Sequence, residues 1–182
     1  MYHVYINLIP VSYTHLFGTG QHNTTKLCLE LMEESLRSGD KVLDLGCGSG
    51  ILSIGAVLLG AKQAIAVDIE ENAVATAVEN AEKNNIPEEK YKAYCGNVIS
   101  DTALYEKIGE EYDLITANIV ADVLIAMSNI FRKKIKVGGT LIISGIITER
   151  KDEVVDTVVK AGFEVLKSAE GEGWAAVELK AI

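Results

Sequence analysis

The segment Asp44-Leu-Gly46-Cys-Gly48-Ser-Gly50 decides the fold, because it stands where a short apolar strand gives way to an apolar helix. Closely spaced glycines let the backbone turn sharply and approach a ligand without a Cβ in the way. The helix that follows offers unpaired N–H groups and the positive end of its dipole. In an open parallel sheet, ligands bind at the carboxyl ends of the strands. This glycine loop, residues 44–50, predicts a ligand site, although the same glycines also suit a purely structural turn.

The spacing within the glycine loop separates two classes of ligand. A dinucleotide fingerprint has the pattern G-x-G-x-x-G. The loop has G-x-G-x-G instead, and Ile51 stands where the last glycine would be. A carboxylate such as Asp44 repels a pyrophosphate but attracts the ammonium group of an amino acid. Asp44, Gly46 and Gly48 therefore predict a ligand with a cationic amino group and no phosphate, and S-adenosylmethionine is such a ligand.

A second acid follows the next predicted strand. Asp68 lies 22 residues after Gly46, at the end of the strand predicted over residues 63–67. A carboxylate at that position can accept hydrogen bonds from both hydroxyls of a ribose. A solvated loop acid is the alternative, since Glu70 and Glu71 follow closely. Placement at a strand end, together with the glycine loop, favours a nucleoside site.

Strand-like and helix-like segments alternate from Phe17 to the end of the chain. The predicted strands cover residues 41–45, 63–67, 91–95, 112–117, 140–144, 163–168 and 174–181, and the predicted helices cover residues 24–37, 50–59, 71–84, 101–108, 121–136 and 149–161. This alternation predicts a doubly wound, mostly parallel α/β sheet. Gly171 and Gly173 indicate a closing hairpin, which adds one antiparallel strand. We expect one domain over residues 17–182, preceded by a doubtful tail at residues 1–16.

The composition limits the function further. The chain has 182 residues, 48% of them hydrophobic and only two of them proline, so it predicts a folded protein. Its longest nearly apolar run, residues 51–61, is too short to cross a membrane. The net charge of −9 argues against a non-specific nucleic-acid binder, which needs basic side chains. Cys28, Cys47 and Cys95 form no disulfide or metal-binding motif, which favours reduced thiols in a cytoplasm and no metal site.

With these features, the sequence resembles the class I S-adenosylmethionine-dependent methyltransferases. The resemblance implies a Rossmann-like sheet of seven strands with the last strand antiparallel. It also implies that adenine is held near Asn97, which follows the third strand where that family usually has Asp. Ile69 is then an apolar wall for the adenine ring, although ordinary core packing would also account for an isoleucine.

Two further segments resemble the ribosomal-protein methyltransferase family that modifies protein eleven of the large ribosomal subunit. They are FGTGQHNTT at residues 17–25, where the family has FGTGTHPTT, and ANIVA at residues 117–121, where the family has ANILA. The departures are Gln21, Asn23 and Val120. The glycine loop fits the family's D-x-G-C-G-S-G-I-L pattern, and the segment Gly138–Ile146 and Trp174 also resemble the family. The likeness therefore extends from Phe17 to the end of the chain.

This resemblance implies cofactor contacts at Thr25, Gly46, Asp68 and Asn118. Thr25 would hydrogen-bond the methionine end of the cofactor, whereas a helix N-cap needs the same residue type. Asn118 offers both a carbonyl and an amide, so as the catalytic residue it would orient the incoming amine and the cofactor together. Its alternative interpretation is a turn residue at a strand end.

The sequence therefore predicts an S-adenosylmethionine-dependent N-methyltransferase that acts on lysine or α-amino groups of a ribosomal protein. We expect no direct binding of nucleic acid or membrane. The alternatives are a methyltransferase for another protein or a small molecule, and a cofactor-binding fragment that is inactive without a substrate-recognition domain. Members of the family carry that domain at their N-terminus, and only sixteen residues precede Phe17. Gly18 and Gly20 predict a loop that closes over the cofactor, and His22 is not predicted to act as a base.

Overall fold

The structure, a computed structural model, describes residues 23–182. Within that range the strands are β1 (Lys41–Leu45), β2 (Gln63–Asp68), β3 (Tyr91–Cys95), β4 (Tyr112–Asn118), β5 (Ile135–Ile147), β6 (Phe163–Gly171) and β7 (Trp174–Ala181). The helices are α1 (Asn23–Ser35), α2 (Ile51–Leu58), α3 (Glu71–Lys83), α4 (Thr102–Lys107), α5 (Ala121–Lys134) and α6 (Lys151–Lys160). None of these helices is long and apolar enough to cross a membrane. The tail at residues 1–16, the loop glycines Gly18 and Gly20, and His22 lie outside the described residues.

The strands form one sheet in the order β3-β2-β1-β4-β5-β7-β6. Strands β1 to β5 pair in parallel, whereas β7 runs antiparallel to both β5 and β6. This topology confirms the predicted doubly wound sheet of seven strands with an antiparallel last strand. The strand order reverses between β1 and β4, which is the switch point where ligands bind in open parallel sheets.

A helical layer covers each face of the sheet. Successive side chains of a strand point to opposite faces. Leu114 of β4 belongs to a buried cluster formed with α1, α2 and α3, whereas Ile115 belongs to one formed with α4, α5 and α6. Thr116 and Asn118 follow Leu114 at two-residue intervals, so they lie on the face that α1 and α2 cover.

Several boundaries differ from the predictions by a few residues, and two of these differences have a clear physical reason. β5 begins at Ile135 instead of residue 140, because Ile135 pairs with Tyr112 before the register shifts. The helix predicted over residues 149–161 begins two residues later, since Thr148–Arg150 form a 3-10 turn. Thr148 N donates a hydrogen bond to the carbonyl oxygen of Gly173 at 3.0 Å, which ties this turn to the β6–β7 hairpin.

Strand β5 closely approaches the backbone just beyond the carboxyl end of β4. Gly145 has a φ of +79°, and a Cβ added to it would lie 2.6 Å from the carbonyl oxygen of Ile119. Ile119 N also donates to the carbonyl oxygen of Ser144 at 3.1 Å. Glycine at position 145 therefore fixes Ile119, and with it the preceding Asn118, against the end of β5.

We expect Gly145→Ala to lower the free energy of unfolding by roughly 2–5 kcal/mol, because it combines a left-handed backbone with a clash against rigid main chain. Gly138→Ala is the matched control: its φ is +80°, but a Cβ there has nothing within 4 Å. The control should lose only about 1–2 kcal/mol. Urea unfolding of both variants measures the difference, and equal losses would contradict the close approach.

Candidate active site

The glycine loop folds over the carboxyl end of β2. The amides of Gly46 and Cys47 both donate to the carbonyl oxygen of Val67, at 2.8 and 3.1 Å. The φ values of the three loop glycines lie in the left-handed region, which glycine adopts without strain: 76° at Gly46, 53° at Gly48 and 80° at Gly50. The loop therefore turns as the sequence predicts, directly in front of α2.

Asp68, at the end of β2, is tied to the glycine loop. Its Oδ2 accepts a hydrogen bond from Gly48 N at 2.8 Å, and its Oδ1 accepts one from Glu70 N at 3.0 Å. These bonds set Asp68 apart from a freely solvated loop acid. Each carboxylate oxygen keeps a second lone pair, so the half-buried carboxylate can still receive two hydroxyl donors.

Ile69 and Asn97 lie on adjacent loops, after β2 and β3. Gly96 N donates to the carbonyl oxygen of Asp68 at 2.9 Å, which holds these loops together. The Ile69 side chain is 66% exposed, so core packing does not account for it. Asn97 Oδ1 accepts a hydrogen bond from Ile99 N at 2.9 Å, and this bond orients the side-chain amide. An apolar side chain and an amide thus stand beside Asp68.

Asn118 and Thr25 meet although 93 residues separate them along the chain. Asn118 Nδ2 donates to Thr25 Oγ1 at 3.3 Å. Thr25 is buried, and it lies inside α1, whose first residue is Asn23. The N-cap interpretation of Thr25 therefore does not apply. The contact joins α1 to the carboxyl end of β4.

Asp44 is the first residue of the glycine loop, and its side chain is buried beneath the loop's glycines, with 1% of the residue's surface exposed. Its Oδ1 accepts a hydrogen bond from Thr116 Oγ1 at 2.8 Å, and its Oδ2 accepts one from Ser53 N at 3.1 Å. Burial raises the pKa of Asp44 to about 6, and Asp68 adds to the rise, while the bonds from Thr116 and Ser53 lower it. Among residues 23–182, no lysine or arginine contributes to this balance. A buried carboxylate of this kind suits a cationic ligand.

Several buried polar side chains that contact the glycine loop and α2 were not among the residues predicted from the sequence motifs. Ser53 Oγ lies 3.2 Å from Tyr91 Oη, and Asn80 Nδ2 donates to the carbonyl oxygen of Ser49 at 2.9 Å. These side chains, like that of Thr116, are buried. A signal was present, since Ser53 interrupts an otherwise apolar helix and Thr116 an apolar strand.

The groups that the site offers are carboxylates, amides and hydroxyls. No group of three or more His, Cys, Asp or Glu residues within the described range is placed to hold a metal ion. Cys28, Cys47 and Cys95 are free cysteines, and the first two are buried. Burial raises the pKa of the Cys28 thiol to about 12, so this thiol is protonated at neutral pH.

Comparison of the sequence with models of known protein families shows which family the chain belongs to. The family model described as Ribosomal protein L11 methyltransferase (PrmA) matches residues 12–181. The chain belongs to the ribosomal protein L11 methyltransferase family. Membership confirms the resemblance drawn from residues 17–25 and 117–121.

Individual members and structures show how far the likeness extends. The ribosomal protein L11 methyltransferase of Agathobacter rectalis is 41% identical over 155 residues, which cover 83% of this chain and 48% of that protein. The crystal structure of ribosomal protein L11 methylase from Lactobacillus delbrueckii subsp. bulgaricus has a TM-score of 0.80 at 28% identity, covering 89% of this chain and 80% of that one. SMU.776, a putative methyltransferase complexed with SAH, shares the fold with a TM-score of 0.72 at 13% identity, covering 87% of this chain and 49% of that one. The chain spans about half the length of the curated L11 methyltransferases that it matches.

The raised pKa of Asp44 predicts a pH dependence of stability. Because burial moves this pKa from 3.8 to about 6, the folded protein holds the proton more tightly than the unfolded chain does. The free energy of unfolding should therefore fall as the pH rises from about 4 to about 6, with an Asp44 contribution of about 3 kcal/mol. We expect Asp44→Asn to remove this part of the fall, as urea unfolding across that pH range would measure. Asp152→Asn, an exposed acid of α6, is the control; an unchanged fall in Asp44→Asn would contradict the assignment.

Proposed function

We propose that the chain is the catalytic core of an S-adenosylmethionine-dependent methyltransferase that methylates lysine or α-amino groups of ribosomal protein L11. One observation carries the proposal: in a chain of the L11 methyltransferase family, Asn118 and Thr25 come together at the carboxyl edge of the sheet. The glycine loop and Asp68 lie at the same edge, so a bound nucleoside and the reacting amine would share one site.

We assign the parts of the cofactor by the chemistry of the described groups. The two oxygens of Asp68 suit the two ribose hydroxyls, because each keeps a free lone pair. Ile69 and the amide of Asn97 suit the apolar face and the polar edge of adenine. Gly46 and Gly48 lie in front of the α2 amino end, and the charge of Asp44 behind them favours the ammonium group of the methionine part.

S-adenosylmethionine, when bound, would supply a methyl group on a sulfonium sulfur: an uncharged amine nitrogen would bond to the methyl carbon in line as the C–S bond breaks and its electron pair stays on sulfur. The protein has to align the amine and exclude water. Asn118 has a carbonyl that can accept a hydrogen bond from the amine, while its amide donates to Thr25. The amine must first lose a proton, and burial favours that loss because it lowers the pKa of an ammonium group. The step therefore requires no dedicated base.

A second candidate is a cofactor-binding domain that transfers methyl groups only together with a substrate-recognition domain. The chain spans about half the length of the matched L11 methyltransferases, and the contacts of its described residues concern the cofactor side of the site. Residues 17–182 form the cofactor-binding domain in both candidates. A ribosomal-protein partner and three free cysteines support a cytoplasmic location.

Asp68→Ala should weaken cofactor binding at least about tenfold, because it removes charged acceptors of two hydroxyl donors. Isothermal titration with S-adenosylmethionine measures the affinity, and thermal unfolding checks that the variant still folds. Glu82→Ala, which removes an exposed acid of α3, should bind as the unaltered protein does. Unchanged affinity in Asp68→Ala would return Asp68 to a loop acid, and a folded, unaltered protein that does not bind would end the whole proposal.

Asn118→Ala should lower kcat about a hundredfold while cofactor affinity changes less, because the amine loses its orientation. The assay follows methyl transfer from labelled S-adenosylmethionine to purified L11, with and without the amino-terminal half of a longer relative. Asn129→Ala, an exposed residue of α5, is the matched control. Transfer that occurs only with the added half selects the second candidate, and no transfer under either condition rejects L11 as the substrate.

A further inference from the structure

A buried hydroxyl connects the strand of the glycine loop to the strand of Asn118. Thr116 and Asp44 are direct neighbours in the pairing of β4 with β1. Thr116 is fully buried, and its Oγ1 donates to Asp44 Oδ1 at 2.8 Å. Asn118 lies two residues further along β4, so its side chain shares the face of Thr116.

We propose that Thr116 is a positioning residue for methyl transfer: its hydroxyl orients the Asp44 carboxylate, keeps it ionised behind the cofactor's ammonium group, and aligns the glycine loop with Asn118. The inference rests on the proposed function and adds to it a residue that touches neither cofactor nor substrate.

The surroundings of Asp44 explain why one hydroxyl has a large effect. Within the part of the chain that the structure describes, the titratable groups that face Asp44 are Cys28 from α1, Cys47 from the glycine loop, Asp68 from β2 and Tyr91 from β3. Each of them is neutral or negative, so none stabilises a negative charge on Asp44. The contacts that favour the ionised carboxylate come from Thr116 and Ser53.

Ser53 and Thr116 hold different oxygens of the carboxylate. Ser53 N, in the first turn of α2, binds Oδ2, and Thr116 binds Oδ1. Losing the Thr116 bond would leave one oxygen of a buried carboxylate without its donor, which favours protonation. A protonated Asp44 no longer attracts an ammonium group. Thr116 thus controls cofactor affinity through Asp44, and it does so most strongly at and below the pH where Asp44 titrates.

The test measures cofactor affinity against pH in Thr116→Val and Thr116→Ser. Valine keeps the volume and removes the hydroxyl, while serine keeps the hydroxyl. For the unaltered protein, the affinity for S-adenosylmethionine should rise with pH as Asp44 ionises. In Thr116→Val the midpoint of that rise should move up by about one pH unit, so binding should be about tenfold weaker near pH 5, about twofold weaker at pH 7 and nearly unchanged at pH 8.5. Thr116→Ser should follow the unaltered protein.

A merely structural role gives a different result. If Thr116 only stabilises the fold, Thr116→Val lowers the unfolding temperature but leaves the pH profile in place, and that outcome overturns the inference. A loss of affinity that is equal at every pH overturns it too. Thr157→Val, which removes a hydroxyl in α6, should leave the profile unchanged. Should Thr116→Val not fold, Thr116→Ala, which is smaller and also lacks the hydroxyl, is measured in its place.

The outcomes separate this inference from the proposed function. An unaltered protein that binds no S-adenosylmethionine at any pH overturns both. An unaltered protein that binds, and whose profile does not move in Thr116→Val, leaves the methyltransferase assignment intact and removes only the role of Thr116.

Discussion

A carboxylate buried at the end of β1 has to be held by donors from the chain around it, since burial alone disfavours its charge. Asp44 receives these donors from α2 and from β4, through Ser53 and Thr116. The two bonds fix the glycine loop between the helix that begins after it and the neighbouring strand. The positions of the loop, of α2 and of the end of β4 thus depend on one side chain.

Ile119 makes a second connection between the strand ends. A Cβ on Gly46 would lie 2.2 Å from Ile119 Cγ2, and one on Gly145 would lie 2.6 Å from the Ile119 carbonyl oxygen. Ile119 is thus enclosed by two glycines, Gly46 from the loop after β1 and Gly145 from within β5. Since Asn118 precedes it directly, the residue proposed to orient the amine has little freedom to move. Precise placement of this kind is what a displacement reaction without a dedicated base requires.

The sequence predicted the fold and proposed where the candidate site lies, because both rest on local patterns. The glycine loop, the acid at position 68 and the alternation of strands and helices each lie within short segments. The contact between Thr25 and Asn118 joins residues that are 93 positions apart. Only the resemblance of the sequence to a known family pointed to these two positions. Thr116 stands out as a polar residue among apolar ones in β4, but threonine is common in strands, so the sequence does not identify its buried partner. The early start of β5 depends on a shift of register with β4, which no pattern of apolar residues encodes.

The direction of α1 has a consequence for how a substrate reaches the site. α1 begins at Asn23, two residues before Thr25, whose hydroxyl meets Asn118. Any domain joined to the amino end of this helix is therefore tethered at the edge of the sheet where the candidate site lies. A short tether holds a bound partner at a millimolar effective concentration beside the site. A recognition domain attached there needs only modest affinity for its substrate, and the product can then leave quickly.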